Sequence, residues 1–339
     1  MEIEFKNLKI NILEPKNNFE KKVIFFLEEW LDEGEKVKVQ TSGSTGTPKI
    51  FEIEKKRMLH SAKMTCDFLG LKEGNTALLC LPVEYISGKM MVVRSFERKL
   101  NLIISEPTIQ PLQNLNQEID FCAMTPLQVE NSLDKLHWIK NIIIGGAAVS
   151  ESLKKKIHET LKGKNSVVYE TYGMSETLSH IALRQVFPQQ DLSFKIFKGV
   201  GVSLDERGCL VIDAPALNPE KLITNDLVEL FNSNEFRYLG RIDNVINSGG
   251  AKIFPEQLEA LVKKEIPNEV IFLGLKDEVL GQKLVLVIEG EENEFIRQQI
   301  DSIPFEKKFH KPKEIYFIKE IPRTPNGKVS RKELLKIII

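Results

Sequence analysis

The chain has 339 residues, room for about two domains at roughly 150 residues each. Its 42% hydrophobic and 28% charged residues exclude a disordered or collagen-like chain. With 47 Lys plus Arg against 48 Asp plus Glu it lacks the bulk positive field that nucleic acid requires, so no nucleic-acid partner is expected.

In chain order, residues 3–13 read as a short strand. Residues 19–31 form an amphipathic helix, with Val23, Phe26, Leu27 and Trp30 at helical spacing and Gly34 closing it. A strand over 37–40 then enters a loop rich in glycine and hydroxyls, residues 41–49, expected to lead into a helix. From 50 to 240, short aliphatic strands (77–81, 102–105, 141–144, 167–169) alternate with helical segments such as 150–161. That pattern predicts α/β layering with a largely parallel sheet. Residues 194–230 change to short strands and turns, expected to form a small β-subdomain. Beyond 242, helices at 255–264 and 292–302 and strands at 270–274, 284–289 and 314–317 predict a smaller α+β unit. The expected division is 1–241 and 242–339.

The cysteines Cys66, Cys80, Cys122 and Cys209 are far apart, with no C-x-x-C pair and no His at ligand spacing, which argues against a structural zinc site or disulfide framework. Met1-Glu2-Ile3-Glu4 lacks the basic start of a secretory signal, and the apolar runs fall short of the ~18 residues of a membrane span. A cytoplasmic protein without a membrane partner is expected.

Four segments carry chemistry. Thr41-Ser42-Gly43-Ser44-Thr45-Gly46-Thr47-Pro48-Lys49 combines glycines that let backbone N–H groups face an anion, hydroxyl donors and a lysine, a set suited to polyphosphate. The alternative is a flexible surface loop, and Pro48 rules out a Walker A sequence. Tyr169-Glu170-Thr171-Tyr172-Gly173-Met174-Ser175-Glu176-Thr177 follows a buried strand, where α/β sheets place ligands. Tyr172 could stack on a base and Glu176 hold Mg2+, or the segment could be a helix entry capped by Ser175. Asp226 and Arg241 could bind a diol or phosphate, or serve as ordinary turn residues. Pro322-Arg323-Thr324-Pro325-Asn326-Gly327-Lys328 is a turn that presents a lysine, or simply a solvated charged hairpin.

Together, in this order, these segments resemble the adenylate-forming superfamily of acyl-CoA synthetases, luciferases and peptide-synthetase adenylation domains, over residues 38–336. The resemblance implies an ATP- and Mg2+-dependent acid–thiol ligase that forms an acyl-adenylate and then a thioester. It implies that residues 41–49 hold the ATP β- and γ-phosphates, and that Gly145-Gly146-Ala147 border adenine and the acyl group. Tyr172, with Gly173 and Met174 beside it, would lie near adenine, Ser175 near the α-phosphate and Glu176 on Mg2+. Asp226 would hold the ribose hydroxyls with Arg241 assisting, Asp243 would be the hinge of a mobile C-terminal lobe, and Lys328 would be the lysine of adenylation. Only forty residues precede Thr41, so part of the first subdomain of typical members is expected to be absent.

Within the superfamily, Leu81-Pro82-Val83-Glu84-Tyr85-Ile86-Ser87-Gly88-Lys89 resembles the L-P-x-x-H-I-S-G element of o-succinylbenzoate-CoA ligases of menaquinone biosynthesis, with Tyr85 at the usual His position. Tyr85, Ser87 and Gly88 would border the acyl pocket, and Arg94 could reach the carboxylate that is not activated. The expected partners are a small carboxylic acid, ATP and coenzyme A, in a monomer or homodimer. The alternatives are another aryl- or acyl-CoA ligase, an adenylation enzyme loading a carrier protein, or a nucleotide binder without catalysis.

Overall fold

The computed structural model describes residues 1–7, 14–40, 50–323 and 329–339. In chain order its elements are β1 (Glu2–Glu4), α1 (Asn18–Leu31), β2 (Lys36–Gln40), β3 (Ile50–Glu54), α2 (Lys55–Leu69), β4 (Thr76–Leu79), α3 (Ile86–Arg98), β5 (Asn101–Ile104), β6 (Ile119–Met124), α4 (Pro126–Glu130), β7 (Ile139–Ile144), α5 (Glu151–Leu161), β8 (Val167–Gly173), β9 (His180–Phe187), β10 (Phe194–Ile196), β11 (Gly201–Leu204), β12 (Cys209–Asp213), β13 (Leu222–Asn232) and β14 (Glu235–Arg241). They continue with β15 (Ile246–Ser248), β16 (Ala251–Ile253), α6 (Pro255–Val262), β17 (Val270–Asp277), β18 (Gly281–Glu289), α7 (Glu294–Ser302), β19 (Glu314–Ile318) and α8 (Arg331–Ile338).

The helices start and stop where local chemistry dictates. Asn17 caps α1 by accepting from Glu20 N at 2.8 Å, and the helix buries Phe19, Val23, Phe26, Leu27 and Trp30 along one stripe. Ser150 caps α5 through Leu153 N at 3.1 Å. Gly70, at φ +64°, ends α2 in the left-handed conformation that a Cβ disfavours.

One twelve-stranded sheet takes the order β1-β5-β4-β6-β7-β8-β9-β10-β14-β13-β12-β11. Only β5-β4-β6-β7-β8 is parallel, and these strands are connected largely through helices. From β8 onward every pair is antiparallel, and all but β10–β14 join strands consecutive in the chain without a helical crossover. The expected largely parallel sheet is therefore a parallel centre within a mixed sheet. The strands from residue 194 extend that same sheet antiparallel instead of closing a sheet of their own. Alternating side chains of β6 and β7 feed cores on its two faces, Phe121, Ala123 and Ile143 in one and Cys122, Met124, Ile142 and Ile144 in the other.

A second sheet, β16-β15-β18-β17 with β19 parallel to β18, holds its own two cores and contains only residues after 245. The hairpin β2–β3 brackets residues 41–49, so a strand stands between that loop and α2 where a direct helix start was expected. Among the described residues no helix is long and apolar enough to cross a membrane.

Candidate active site

The carboxyl ends of the parallel strands converge on a cavity of about 350 Å3, the position at which open α/β sheets bind ligands. Its walls come from Leu81 after β4, Ala123 to Thr125 after β6, Ile143, Gly145 and Gly146 after β7, and Thr171, Gly173, Met174 and Ser175 around the end of β8. Tyr85, Ile86, Ser87 and Arg94 of α3 and its entry close one side, and Leu178, Ser179 and His180 close another.

The strand ends are rigidly placed. Glu170, buried in β8, forms an ion pair with Arg184 on β9 and accepts from Val149 N at 3.0 Å. That ties the loop after β7 to its neighbour. Gly146 has φ +88° and open space around it, so a backbone suited to close ligand approach stands at the cavity edge. Leu178 is at φ +64°, a conformation costing a non-glycine residue about 1–3 kcal/mol. The strain sits in the turn that carries Ser179 and His180 onto the cavity wall.

Several residues expected from sequence meet here: Gly145, Gly146, Gly173, Met174, Ser175, Tyr85, Ser87 and Arg94 all line the cavity. Ser175 and Glu176 lie in a single 3-10 turn with Met174 at its N-cap, so no helix starts on Ser175. Glu176 is exposed, and its backbone carbonyl accepts from Asn218 Nδ2 at 3.1 Å. Mg2+ on a nucleotide keeps several waters and takes one or two carboxylates plus phosphate oxygens, so one exposed carboxylate next in sequence to the cavity-lining Ser175 suits it. Among the described residues no cluster of three or more potential ligands builds an all-protein metal cage.

Other expected residues stand off the cavity wall. Tyr172 is not on the cavity wall: it is buried, its ring lies 4.9 Å from Phe236 and 5.7 Å from Phe194, and its hydroxyl donates to Asp226 Oδ2 at 2.6 Å. Strand alternation is the cause, since Thr171 and Gly173 take the cavity-lining positions on either side. Tyr172 acts one step back, orienting Asp226. Burial and the Asp226 carboxylate both hold its proton on to strongly alkaline pH.

Gly88 does not line the cavity. A Cβ there would overlap the Pro82 carbonyl oxygen and lie 2.7 Å from that of Leu81, so glycine lets α3 press on the preceding turn. Ala147 is exposed beyond the cavity rim. Asp226 and Arg241 face each other across β13 and β14 at 3.5 Å and stand beside the cavity, linked to its wall through Tyr172.

Asp243 lies in a 3-10 turn between the two sheets. It pairs with Arg241 at 2.9 Å and accepts from Asn225 Nδ2 at 3.1 Å, and the Arg241 hydrogen bond holds its carboxyl below the usual range. Residues 41–49 and Lys328 lie outside the described residues.

Sequence reasoning missed Ser179, His180 and the setting of Arg94. Arg94 is only 2% exposed, in a run of α3 buried from Gly88 to Ser95. It forms no ion pair among the described residues. Nη2 donates to Ser179 Oγ at 2.8 Å, Nη1 lies 3.8 Å from Met91 Sδ, and Nε is buried without a partner. Burial pushes its pKa down to about 10, which leaves it cationic at neutral pH. The available signal was a His entering an apolar strand directly after the Glu176 motif.

A family model described as AMP-binding enzyme matches residues 39–221, more than half of the chain. The crystal structure of an acyl-CoA synthetase (AMP-forming)/AMP-acid ligase II-like protein from Dyadobacter fermentans is 35% identical, with 99% of this chain and 97% of that one covered at a TM-score of 0.66. A 2-succinylbenzoate–CoA ligase of Lactococcus lactis is 25% identical over 89% of this chain and 71% of its own length. O-succinylbenzoate coenzyme A synthetase from Bacillus subtilis, solved with ATP and magnesium ion, shares the fold at a TM-score of 0.73 with 20% identity, covering 88% of this chain and 69% of that one.

Proposed function

Because this chain belongs to the AMP-binding enzyme family and is an AMP-forming acid–thiol ligase, we propose that its acid is 2-succinylbenzoate, joined to coenzyme A at the expense of ATP. Arg94 carries that reading. A buried cation with no acidic partner among the described residues is costly, and in a cavity otherwise lined largely by apolar side chains and backbone it suits a ligand bringing its own anion. A monocarboxylic acid spends its one carboxylate at the phosphate. A dicarboxylic acid keeps a second for Arg94, whose planar fork suits it.

In the proposed reaction a carboxylate oxygen attacks the α-phosphorus of ATP in line, the bond to the bridging oxygen breaks, and pyrophosphate leaves. The sulfur of coenzyme A then attacks the acyl carbon of the acyl-adenylate, releasing AMP. Residues 41–49 hold the β- and γ-phosphates, Ser175 faces the α-phosphate, and Gly145 and Gly146 border adenine and acyl group. Asp226, held by Tyr172 and flanked by Arg241, accepts from the ribose hydroxyls. Lys328 offsets the negative charge that builds on the phosphoryl oxygens. Mg2+ held through Glu176 supplies neutralisation of the phosphate charge.

The proposed lobes are residues 1–241 and 242–339, with the second turning about Asp243 between half-reactions. The exposed Asp243–Arg241 pair resists such a turn by only about 0–1 kcal/mol. Lys328→Ala should abolish acid-dependent ATP–pyrophosphate exchange and spare thioester formation from preformed adenylate. Surviving exchange would end that assignment.

A pyrophosphate-release screen of the wild type and Arg94→Ala over mono- and dicarboxylic acids tests the substrate. The wild type should prefer 2-succinylbenzoate to analogues lacking one of its carboxylates, and Arg94→Ala should lose that preference. Unchanged selectivity in the variant would overturn the reading.

A further inference from the structure

Arg94 ends a hydrogen-bonded chain that crosses from the cavity to α2. Its Nη2 donates to Ser179 Oγ at 2.8 Å, Ser179 Oγ lies 3.2 Å from His180 Nδ1, and His180 Nε2 lies 3.0 Å from Thr65 Oγ1. The Thr65 hydroxyl donates to the Ser61 carbonyl at 3.2 Å.

One arrangement of protons keeps every bond of the chain, including the one to Ser61. In it Ser179 Oγ accepts from Arg94, which has no acceptor to offer, and turns its single proton toward a bare His180 Nδ1. The imidazole proton then sits on Nε2 and is received by Thr65, whose own proton is already committed to Ser61. In the opposite tautomer Ser179 Oγ would take both donors on its lone pairs and turn its proton to the cavity, where no described residue orients it.

We propose that His180 is a positioning residue for acid selection, acting through Ser179 to hold Arg94 at the cavity wall in the orientation that receives the substrate's second carboxylate. This rests on the reading of Arg94 given above. Among the described residues, the groups facing the ring apart from Arg94 are uncharged: the hydroxyls of Ser179 and Thr65, and Phe197 edge-on at 5.4 Å between centroids. Burial and the Arg94 charge both keep His180 neutral. A protonated ring would lose the acceptor on which Ser179 depends and set a second cation against Arg94. An apolar residue at 180 would free the Ser179 hydroxyl to rotate, and the guanidinium would lose its fixed partner.

The test compares KM and kcat for 2-succinylbenzoate and for its analogues lacking one carboxylate, in wild type, Arg94→Ala, His180→Leu and His180→Asn. His180→Leu should raise KM for 2-succinylbenzoate about tenfold more than KM for the analogues, the scale of one hydrogen bond to a charged group, and move kcat less. His180→Asn, whose Oδ1 can accept where Nδ1 did, should return most of that ratio. Equal losses for both kinds of acid, or no rescue by Asn, would overturn the assignment. If Arg94→Ala loses discrimination and His180→Leu keeps it, only the role of His180 falls. If Arg94→Ala keeps it, the substrate reading falls and takes this role with it. Should His180→Leu fail to fold, long-range 1H–15N correlation on the wild type at pH about 6, where an ordinary imidazole is substantially protonated, decides the matter. Protonated Nε2 with bare Nδ1 is expected, and a proton on Nδ1 refutes the chain.

Discussion

Tyr172→Phe removes a single hydroxyl and leaves Asp226, 9% exposed, with one oxygen unpartnered and an Arg241 contact of 3.5 Å on the other. The lost bond, 2.6 Å long and made to a carboxylate, belongs to the class worth about 1.5–3 kcal/mol, and about 2 kcal/mol is a fair central value. Unfolding entropy near 2.1 cal/mol/K per residue over about 240 residues gives roughly 0.5 kcal/mol/K, so Tm should fall by about 4 °C. The ring contacts with Phe194 and Phe236 survive, so no cavity term adds to the loss. In the proposed mechanism a loosened Asp226 also holds the ribose less well, which should raise KM for ATP by about three- to tenfold while leaving KM for the acid near its wild-type value. Differential scanning fluorimetry and initial rates at varied ATP measure both effects. Because the tyrosine keeps its proton well past neutral pH, neither measurement is confounded by titration. A Tm change under about 1 °C, or an acid KM that moves as far as that for ATP, would refute the argument that Tyr172 works through Asp226.

Gly88→Ala should cost about 3 kcal/mol or more in denaturant unfolding, since the new methyl meets backbone carbonyls of Pro82 and Leu81 that cannot rotate away; a wild-type midpoint would mean that the start of α3 shifts freely. Arg94→Met should raise the Tm of the free protein while removing discrimination between mono- and dicarboxylic acids, because it replaces an uncompensated buried cation with an apolar chain of similar length. A lower Tm would show that Arg94 stabilises the core. Stability should also fall as pH drops below about 6.5. His180 has a folded-state pKa held well below its unfolded value, so the unfolded chain takes up the proton first, at a cost approaching 1.4 kcal/mol per pH unit. In His180→Asn that slope should be shallower by one proton, and equal slopes would place the neutral imidazole elsewhere.

The repeat of short aliphatic strands and helices is legible in the sequence because each burial pattern is local. Val23, Phe26, Leu27 and Trp30 recur at helical spacing, and the N-cap asparagine and serine of α1 and α5 stand where their helices begin. The glycines and polar residues at the ends of β7 and β8 are legible too, because the carboxyl end of a parallel strand is where a ligand must sit whatever the rest of the chain does. The extent of the parallel sheet is not local. β10 to β14 pair into the same sheet by hydrogen bonds between strands, and no strand sequence states which neighbour it takes.

Side-chain direction was the other limit. The segment Tyr169 to Thr177 identifies a ligand-binding strand end, yet whether Tyr172 or its neighbours face the ligand depends on the pleat, and the pleat turned Tyr172 toward Asp226, 54 residues away. Gly88 reads as part of a binding motif until Pro82 is seen against it.

The sequence by itself determined the layered α/β class and the residue types able to hold a nucleotide, since both depend on periodicity and on short stretches of contiguous chain. Tertiary structure alone decided the state of Arg94. On an isolated α3 it would be a solvated helical arginine. Ser179, 85 residues later, supplies its hydrogen-bond acceptor, and Thr65 and His180, 115 residues apart, complete the chain behind it. Burial strips water from the charge and long-range packing brings no acidic partner to it among the described residues, leaving a buried cation that the proposed reading pairs with the substrate's second carboxylate.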